Sequence, residues 1–317
     1  MSLNHSITRR SIFKGAGGIA AASFLGAGAV LGGSASPAHA ASDLKVVAHQ
    51  TIDRMEYYRF STSCISWTPR VNILLPKNYG NGCRFPVLYL LHGSSENFTK
   101  FDKEVDIRNL AASHDLIIVM PDGGSAGWYC NPVTSNAGPQ KWETFHIEQL
   151  IPWVDANFRT IAQCEGRAIS GFSMGGFGAL KYTAKYSNYF ASVSCHSGPA
   201  NLRGYYGRTV VQWVNSSSSV DLAGGYVYGS DENRIKADNP VDCVEKYKGK
   251  RIFLVSGTDS KNSRERCVVH THREFRETLH KHGIKHEHCE DSGGQYIRKD
   301  RLKQDLDGIV GHLWRPC

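Results

Sequence analysis

Apolar and polar positions along this chain switch between a two-residue and a 3.6-residue period. Residues 55–61 and 70–75 alternate in the way that predicts an antiparallel pair of strands. Phe85-Pro86-Val87-Leu88-Tyr89-Leu90-Leu91 is an apolar run that stops at His92-Gly93, and Leu116 to Met120 does the same before Pro121-Asp122-Gly123-Gly124. Runs of this kind predict central strands, covered on both faces, that end at functional loops. Ile147, Leu150, Ile151, Val154 and Phe158 share one helical face, on which Pro152 predicts either a kink or a fresh helix start. Arg167 to Ser170 reads as a further strand and Gly175 to Tyr186 as the helix after it. A strand at Ile252–Val255, a helix through Phe275 and Leu279, and a strand around Ile284–Cys289 follow. Leu302, Leu306, Ile309, Val310 and Leu313 predict a C-terminal helix. Ser216 to Ser219 is expected as a surface loop. There are no repeats, and the alternation of β and α elements predicts an α/β class with a mostly parallel sheet and helices on both faces.

The first forty residues break this pattern. Thr8-Arg9-Arg10-Ser11-Ile12-Phe13-Lys14 precedes a Gly/Ala-rich apolar stretch and Ala38-His39-Ala40. This resembles a twin-arginine export signal cleaved before Ala41, so residues 1–40 are set apart from a single domain at 41–317. No later stretch is apolar for long enough to span a bilayer, and the expected location is secreted or cell-envelope associated. Without the signal, 34 basic residues face 29 acidic ones, a formal charge of +5 with no basic run. Such a spread excludes a nucleic-acid reader and suits a protein near an anionic cell surface. All nine cysteines fall after the signal, with no C-x-x-C pair. Export makes disulfides an expectation, and the odd count leaves at least one thiol unpaired.

The chemistry concentrates in Gly171-Phe172-Ser173-Met174-Gly175. A serine hydroxyl attacks an ester when it is lifted clear of the backbone and the developing oxyanion meets hydrogen-bond donors. G-x-S-x-G between a strand and a helix supplies that turn, with the Met174 N–H as one donor. The second donor of such an oxyanion hole comes from the loop after an earlier strand, which points to the Ser94 N–H in His92-Gly93-Ser94-Ser95.

Five segments in order carry a family resemblance: Pro86 to Gly93, Val119-Met120-Pro121-Asp122-Gly123, Gly127-Trp128-Tyr129, Gln149-Leu150-Ile151-Pro152 and Ser170 to Gly176. Together they resemble the esterase D superfamily of α/β-hydrolases, which includes tributyrin-type esterases, formylglutathione hydrolases, feruloyl and acetyl-xylan esterases and the mycobacterial mycolyltransferase antigens. The likeness covers most of residues 70–290. It implies an α/β-hydrolase fold, an acyl-enzyme on Ser173 without metal or cofactor, and an ester or acyl-donor substrate such as a cell-envelope glycolipid or a plant or glycan ester. It also implies a substrate cleft at His92, Gly93, Trp128 and Tyr129, and an acid at Asp259, which follows the strand Ile252–Ser256.

One departure stands out. Where the family carries its base in a Gly-Gly-His turn, this chain reads Ser292-Gly293-Gly294-Gln295. An amide has no useful basicity near neutral pH, so Gln295 in that place keeps the shape of the cleft and loses the general base. Gly311-His312-Leu313-Trp314 resembles the histidine turn of the mycolyltransferase antigens and offers His312 instead, although helical periodicity puts His312 near the end of a C-terminal helix. Another histidine is the third option. Six histidines between His270 and His288 read as a solvated, pH-sensitive surface, since no carboxylate-histidine motif accompanies them. Two classes of function follow: an exported serine esterase or acyltransferase, active if an imidazole reaches Ser173, or a non-catalytic glycan-, lipid- or partner-binding protein on the same scaffold.

Overall fold

The structure is a computed structural model that describes residues 43–259 and 261–314. The export signal expected at 1–40, the cleavage expected before Ala41, and Cys317 lie outside these residues. Nine strands form one sheet: β1 (Lys45–Ile52), β2 (Met55–Ser61), β3 (Arg70–Leu74), β4 (Val87–Leu91), β5 (Ile117–Pro121), β6 (Arg167–Phe172), β7 (Ser192–His196), β8 (Arg251–Gly257) and β9 (Glu287–Asp291). Their order across the sheet is β1-β2-β3-β5-β4-β6-β7-β8-β9. The first three pair antiparallel, β3 joins β5 antiparallel, and the rest run parallel. β1 is exposed at every position. With no buried face it has no burial period to read, and its ladder to β2 is what defines it.

The helices are α1 (Ile107–Leu110), α2 (Trp142–Thr144), α3 (Ile151–Asn157), α4 (Met174–Lys185), α5 (Gly204–Asp221), α6 (Glu232–Asp238), α7 (Ser263–Lys281) and α8 (Lys299–His312). Pro152 sits in the first turn of α3, where a missing N–H removes no bond within that helix, and Phe145–Leu150 ahead of it winds as a π-helix. Ser216 to Ser219, expected as a loop, instead belong to α5. Each hydroxyl donates to the carbonyl three residues back, as Ser219 Oγ does to Ser216 at 2.8 Å. Val210, Val214 and Ser218 form the buried stripe that holds the helix against the domain. Tertiary packing thus overrides the weak helix propensity of serine.

Alternate residues of each strand feed two cores, because successive side chains leave the sheet on opposite faces. Val87, Tyr89 and Leu91 pack with Phe177 and Leu180 of α4. Leu88 and Leu90 pack with Leu302, Leu306 and Ile309 of α8. Within this second layer Asp305, fully buried, projects from α8 onto the sheet. It accepts from Ser170 Oγ (2.9 Å), Ser194 Oγ (2.5 Å) and Arg251 Nη1 (2.9 Å), and His196 Nε2 lies 3.0 Å away. Seven described cysteines are free thiols, and Cys83 is disulfide-bonded.

Burial alone pushes the Asp305 carboxyl up. The hydrogen bond and charge of His196, with Arg251 and Ser194, outweigh burial and hold it below its ordinary range. Asp305 therefore contributes stability above the unfolded carboxylate pKa of about 4, lost as pH falls through the lower folded value. Asp305→Ala leaves Arg251 without its buried carboxylate, with only the exposed Glu287 at 4.0 Å, and should cost about 3–5 kcal/mol in urea unfolding at pH 7. The difference from the parent should shrink on acidification.

Candidate active site

β6 delivers Ser173 to the rim of the sheet in a conformation few non-glycine residues adopt, φ 53° and ψ −117°. The turn is held because Ser173 N–H donates to the His196 carbonyl at 2.8 Å and the Ser173 carbonyl accepts from Phe177 N–H at 3.1 Å. Both flanking glycines are required by space. A Cβ on Gly171 would run into the Gly175 backbone, and one on Gly175 into the Leu91 carbonyl. α4 begins at Met174, so its first N–H has no carbonyl within the helix to bond and is left for an oxyanion.

The loop after β4 supplies the facing wall. Gly93 N–H is taken by Glu96 Oε2 at 2.8 Å, with Lys100 pairing the same carboxylate at 2.9 Å, and Ser95 N–H is taken by the Ser125 carbonyl at 2.7 Å. Among the described residues the Ser94 N–H between them has no protein acceptor. Gly93 lies against Ser173, since a Cβ there would stand 3.3 Å from Ser173 Cβ.

Ser94 and Ser173 line a cleft of about 100 Å³ with Trp128, Pro199, Trp213, Ser216, Ser217, Arg264, Val268 and Gln295. Trp128 is fixed by its indole N–H donating to Ser217 Oγ at 3.0 Å. Tyr129 and His92, expected beside it, are not in the cleft. Tyr129 is fully buried, its hydroxyl donating to the His92 carbonyl at 3.0 Å. His92 accepts from Gly123 N–H at 2.9 Å through Nε2, so Nδ1 carries the proton and donates to the Gly93 carbonyl at 2.8 Å. Both side chains are used up in shaping the loops.

Gln295 reaches the cleft of Ser173, its Nε2 donating to the Ser197 carbonyl at 3.0 Å. His312 does not. It closes α8 beside the Ala191 carbonyl and Arg251, where burial and the Arg251 charge hold its pKa below the ordinary value. Ala191 lies at the start of β7, and the carbonyl that holds Ser173 lies at its far end, five residues or about 16 Å away. His312 is therefore corrected as the candidate base, and no imidazole lines the cleft among the described residues. Asp259 lies beside the turn rather than in the cleft. Its N–H donates to the Gly293 carbonyl at 3.0 Å, and its Oδ1 accepts from Lys261 N–H at 2.9 Å.

The carboxylate built into this corner is Glu265, which sequence reasoning missed. It is fully buried in the first turn of α7, where Oε1 accepts from Ser197 Oγ at 2.8 Å and from Gly257 N–H, while Oε2 is buried with no partner. Burial pushes its pKa up against those two hydrogen bonds. Asn262-x-x-Glu265 is a cap spacing, and Asn262 Oδ1 accepts from Glu265 N–H at 3.0 Å. That signal was legible, but it predicts a side chain turned back to the helix end, not toward Ser197.

The description "Putative esterase" belongs to the family model that matches residues 62–313. The chain belongs to this esterase family. Esterase Rv1288 of Mycobacterium tuberculosis H37Rv is 54% identical over 290 residues, covering 86% of this chain and 62% of that protein. The chain thus spans under two thirds of that relative. The Ag85A diacylglycerol acyltransferase/mycolyltransferase of the same organism is 30% identical over 152 residues, covering 46% of this chain and 43% of its own. Among solved structures, FphF of Staphylococcus aureus, a fluorophosphonate-binding serine hydrolase, superposes with a TM-score of 0.66 at 17% identity, over 81% of this chain and 98% of its own. MPT51 of M. tuberculosis gives 0.65 at 16%, over 84% and 99%. These likenesses carry the fold of the family, the α/β-hydrolase sheet.

Glu265→Ala removes the acceptor of two buried donors and should destabilise this family member by about 2–4 kcal/mol. Asp259→Ala should cost under about 1 kcal/mol. Thermal unfolding of both variants checks the contrast, which an equal loss would contradict.

Proposed function

We propose that this chain is an exported serine hydrolase or acyltransferase that forms an acyl-enzyme on Ser173 and works slowly because Gln295 stands where a general base is needed. The observation that carries the reading is the company Ser173 keeps: a strained elbow serine, the free Ser94 and Met174 N–H groups, and Gln295 on one cleft wall. An ester carbonyl entering over Ser173 would direct its oxygen between those two N–H groups, each worth about 3 kcal/mol to the tetrahedral transition state. The Ser173 proton has no imidazole to go to, so attack relies on solvent as base. Collapse of the intermediate expels the alcohol, and water or a second hydroxyl then takes the acyl group. Ester groups on envelope glycolipids or on plant or glycan polymers are the substrates such a site would meet outside the cell. Gln295 itself favours a second reading, in which the cleft binds an ester or glycan without turning it over.

A fluorophosphonate probe separates the two. The hydrolase reading expects slow labelling at Ser173 that Ser173→Ala abolishes, while complete absence of labelling favours the binding protein. Gln295→His should raise hydrolysis of a chromogenic ester roughly 10²- to 10⁴-fold at neutral pH, because an imidazole on the cleft wall of Ser173 can accept the serine proton. The gain should fall away below about pH 6.5 as the imidazole protonates. A parent enzyme that is already fast, or a slower variant, would overturn the assignment of Gln295.

Export rests on Arg9-Arg10 and the Ala38-His39-Ala40 site. Mass spectrometry of protein recovered outside the cytoplasm should find Ala41 as the first residue, and changing both arginines to lysine should retain the precursor in the cell. A different N-terminus refutes the cleavage site.

A further inference from the structure

The cleft contains one charge that the ester chemistry does not use. Arg264, in the first turn of α7, lines the same space as Ser173, Trp128, Trp213 and Gln295. Its side chain is exposed, and among the described residues it pairs with no carboxylate. Its neighbour Glu265 cannot neutralise it, since that carboxylate is buried and turned to Ser197 and Gly257. Other arginines of this region are matched: Arg273 and Arg276 both pair with Glu290, and Arg301 pairs with Asp291. An unmatched guanidinium beside a nucleophile is a ready partner for an anion, and its planar fork suits a carboxylate or phosphate.

The cleft is small, about 100 Å³. Its apolar lining comes from Trp128, Trp213, Pro199 and Val268.

We infer that Arg264 makes this a site for esters that carry a negative charge close to the scissile bond, on either the acyl or the alcohol portion. The inference deepens the proposed function and rests on Ser173 marking the reacting end of the cleft. The charge of the ligand, more than its length, sets its residence, because the ion pair forms at the rim of a low-dielectric slot and is only partly screened.

The first test is binding alone, which needs no base and no nucleophile. Trp128 and Trp213 report on the cleft, so indole fluorescence is titrated with succinate and with neutral succinamide, in the parent and in Arg264→Gln. Succinate should bind about three- to tenfold more tightly than succinamide. That preference should disappear in Arg264→Gln and weaken as salt rises. Equal binding of the two ligands, or an unchanged preference in Arg264→Gln, overturns the inference. The second test uses Gln295→His protein with 4-nitrophenyl hydrogen succinate and 4-carboxyphenyl acetate, each compared with its uncharged analogue. A preference for the first pair's anion puts the charge on the acyl side, and for the second on the alcohol side. Either supports the inference, and a preference for neither refutes it. If fluorophosphonate fails to label Ser173 while succinate discrimination persists, the proposed catalysis fails and the anion site stands.

Discussion

The close approach of β4, β6 and α4 is the constraint on which the rest of this structure depends. Gly175 lies so near the Leu91 carbonyl, and Gly171 so near Gly175, that no side chain fits at either place. This contact forces Ser173 into a positive φ, which non-glycine residues tolerate only where the surroundings over-determine it. Surroundings of that kind are present. The His196 carbonyl takes the Ser173 N–H, and α4 is locked from below by Lys181, whose ammonium is buried against Glu143 at 2.7 Å and the Tyr129 carbonyl at 2.8 Å. Strain at one serine is therefore balanced by packing and ion pairing across the whole length of the helix that follows.

The same contact explains why the aromatic pair after β5 divides its labour. Trp128 and Tyr129 both have left-handed backbone, φ 52° and 55°. The turn sends the Trp128 ring to the cleft, where Ser217 holds its N–H, and sends Tyr129 into the core under α4, where its ring fills the space that Gly178 leaves open. One side chain lines the cleft and the other supports α4. The two charged networks on opposite faces of the sheet, around Lys181 and around Asp305, then fix α4 and α8 in register with strands whose ends carry the chemistry.

Free backbone N–H groups beside Ser173 and an amide at Gln295 can share one cleft. The donors are backbone N–H groups, set by the fold and insensitive to side-chain change, whereas the base is a single imidazole that one substitution removes. Glu265 keeps one buried oxygen without a partner while its other oxygen holds Ser197, whose carbonyl takes Gln295 Nε2.

The sequence alone determined the central strands, the elbow and the family. Unbroken apolar runs at Val87–Leu91 and Ile117–Met120 have few structural solutions, and G-F-S-M-G between a strand and a helix has one. It also singled out Gln295, which lines the cleft of Ser173. Tertiary structure decided everything that depends on direction rather than spacing. Whether His92 and Tyr129 face the cleft or the core, whether His312 reaches Ser173, and whether Asp259 or Glu265 is the buried carboxylate turn on which way a side chain leaves its loop or helix. β1 shows the same limit, because a strand exposed on both faces leaves no burial pattern, and the serines of α5 show it again, because their helix is held by Val210 and Val214 packing on the domain. Local periodicity records which residues are buried, while the partner that buries them is chosen only when distant segments meet.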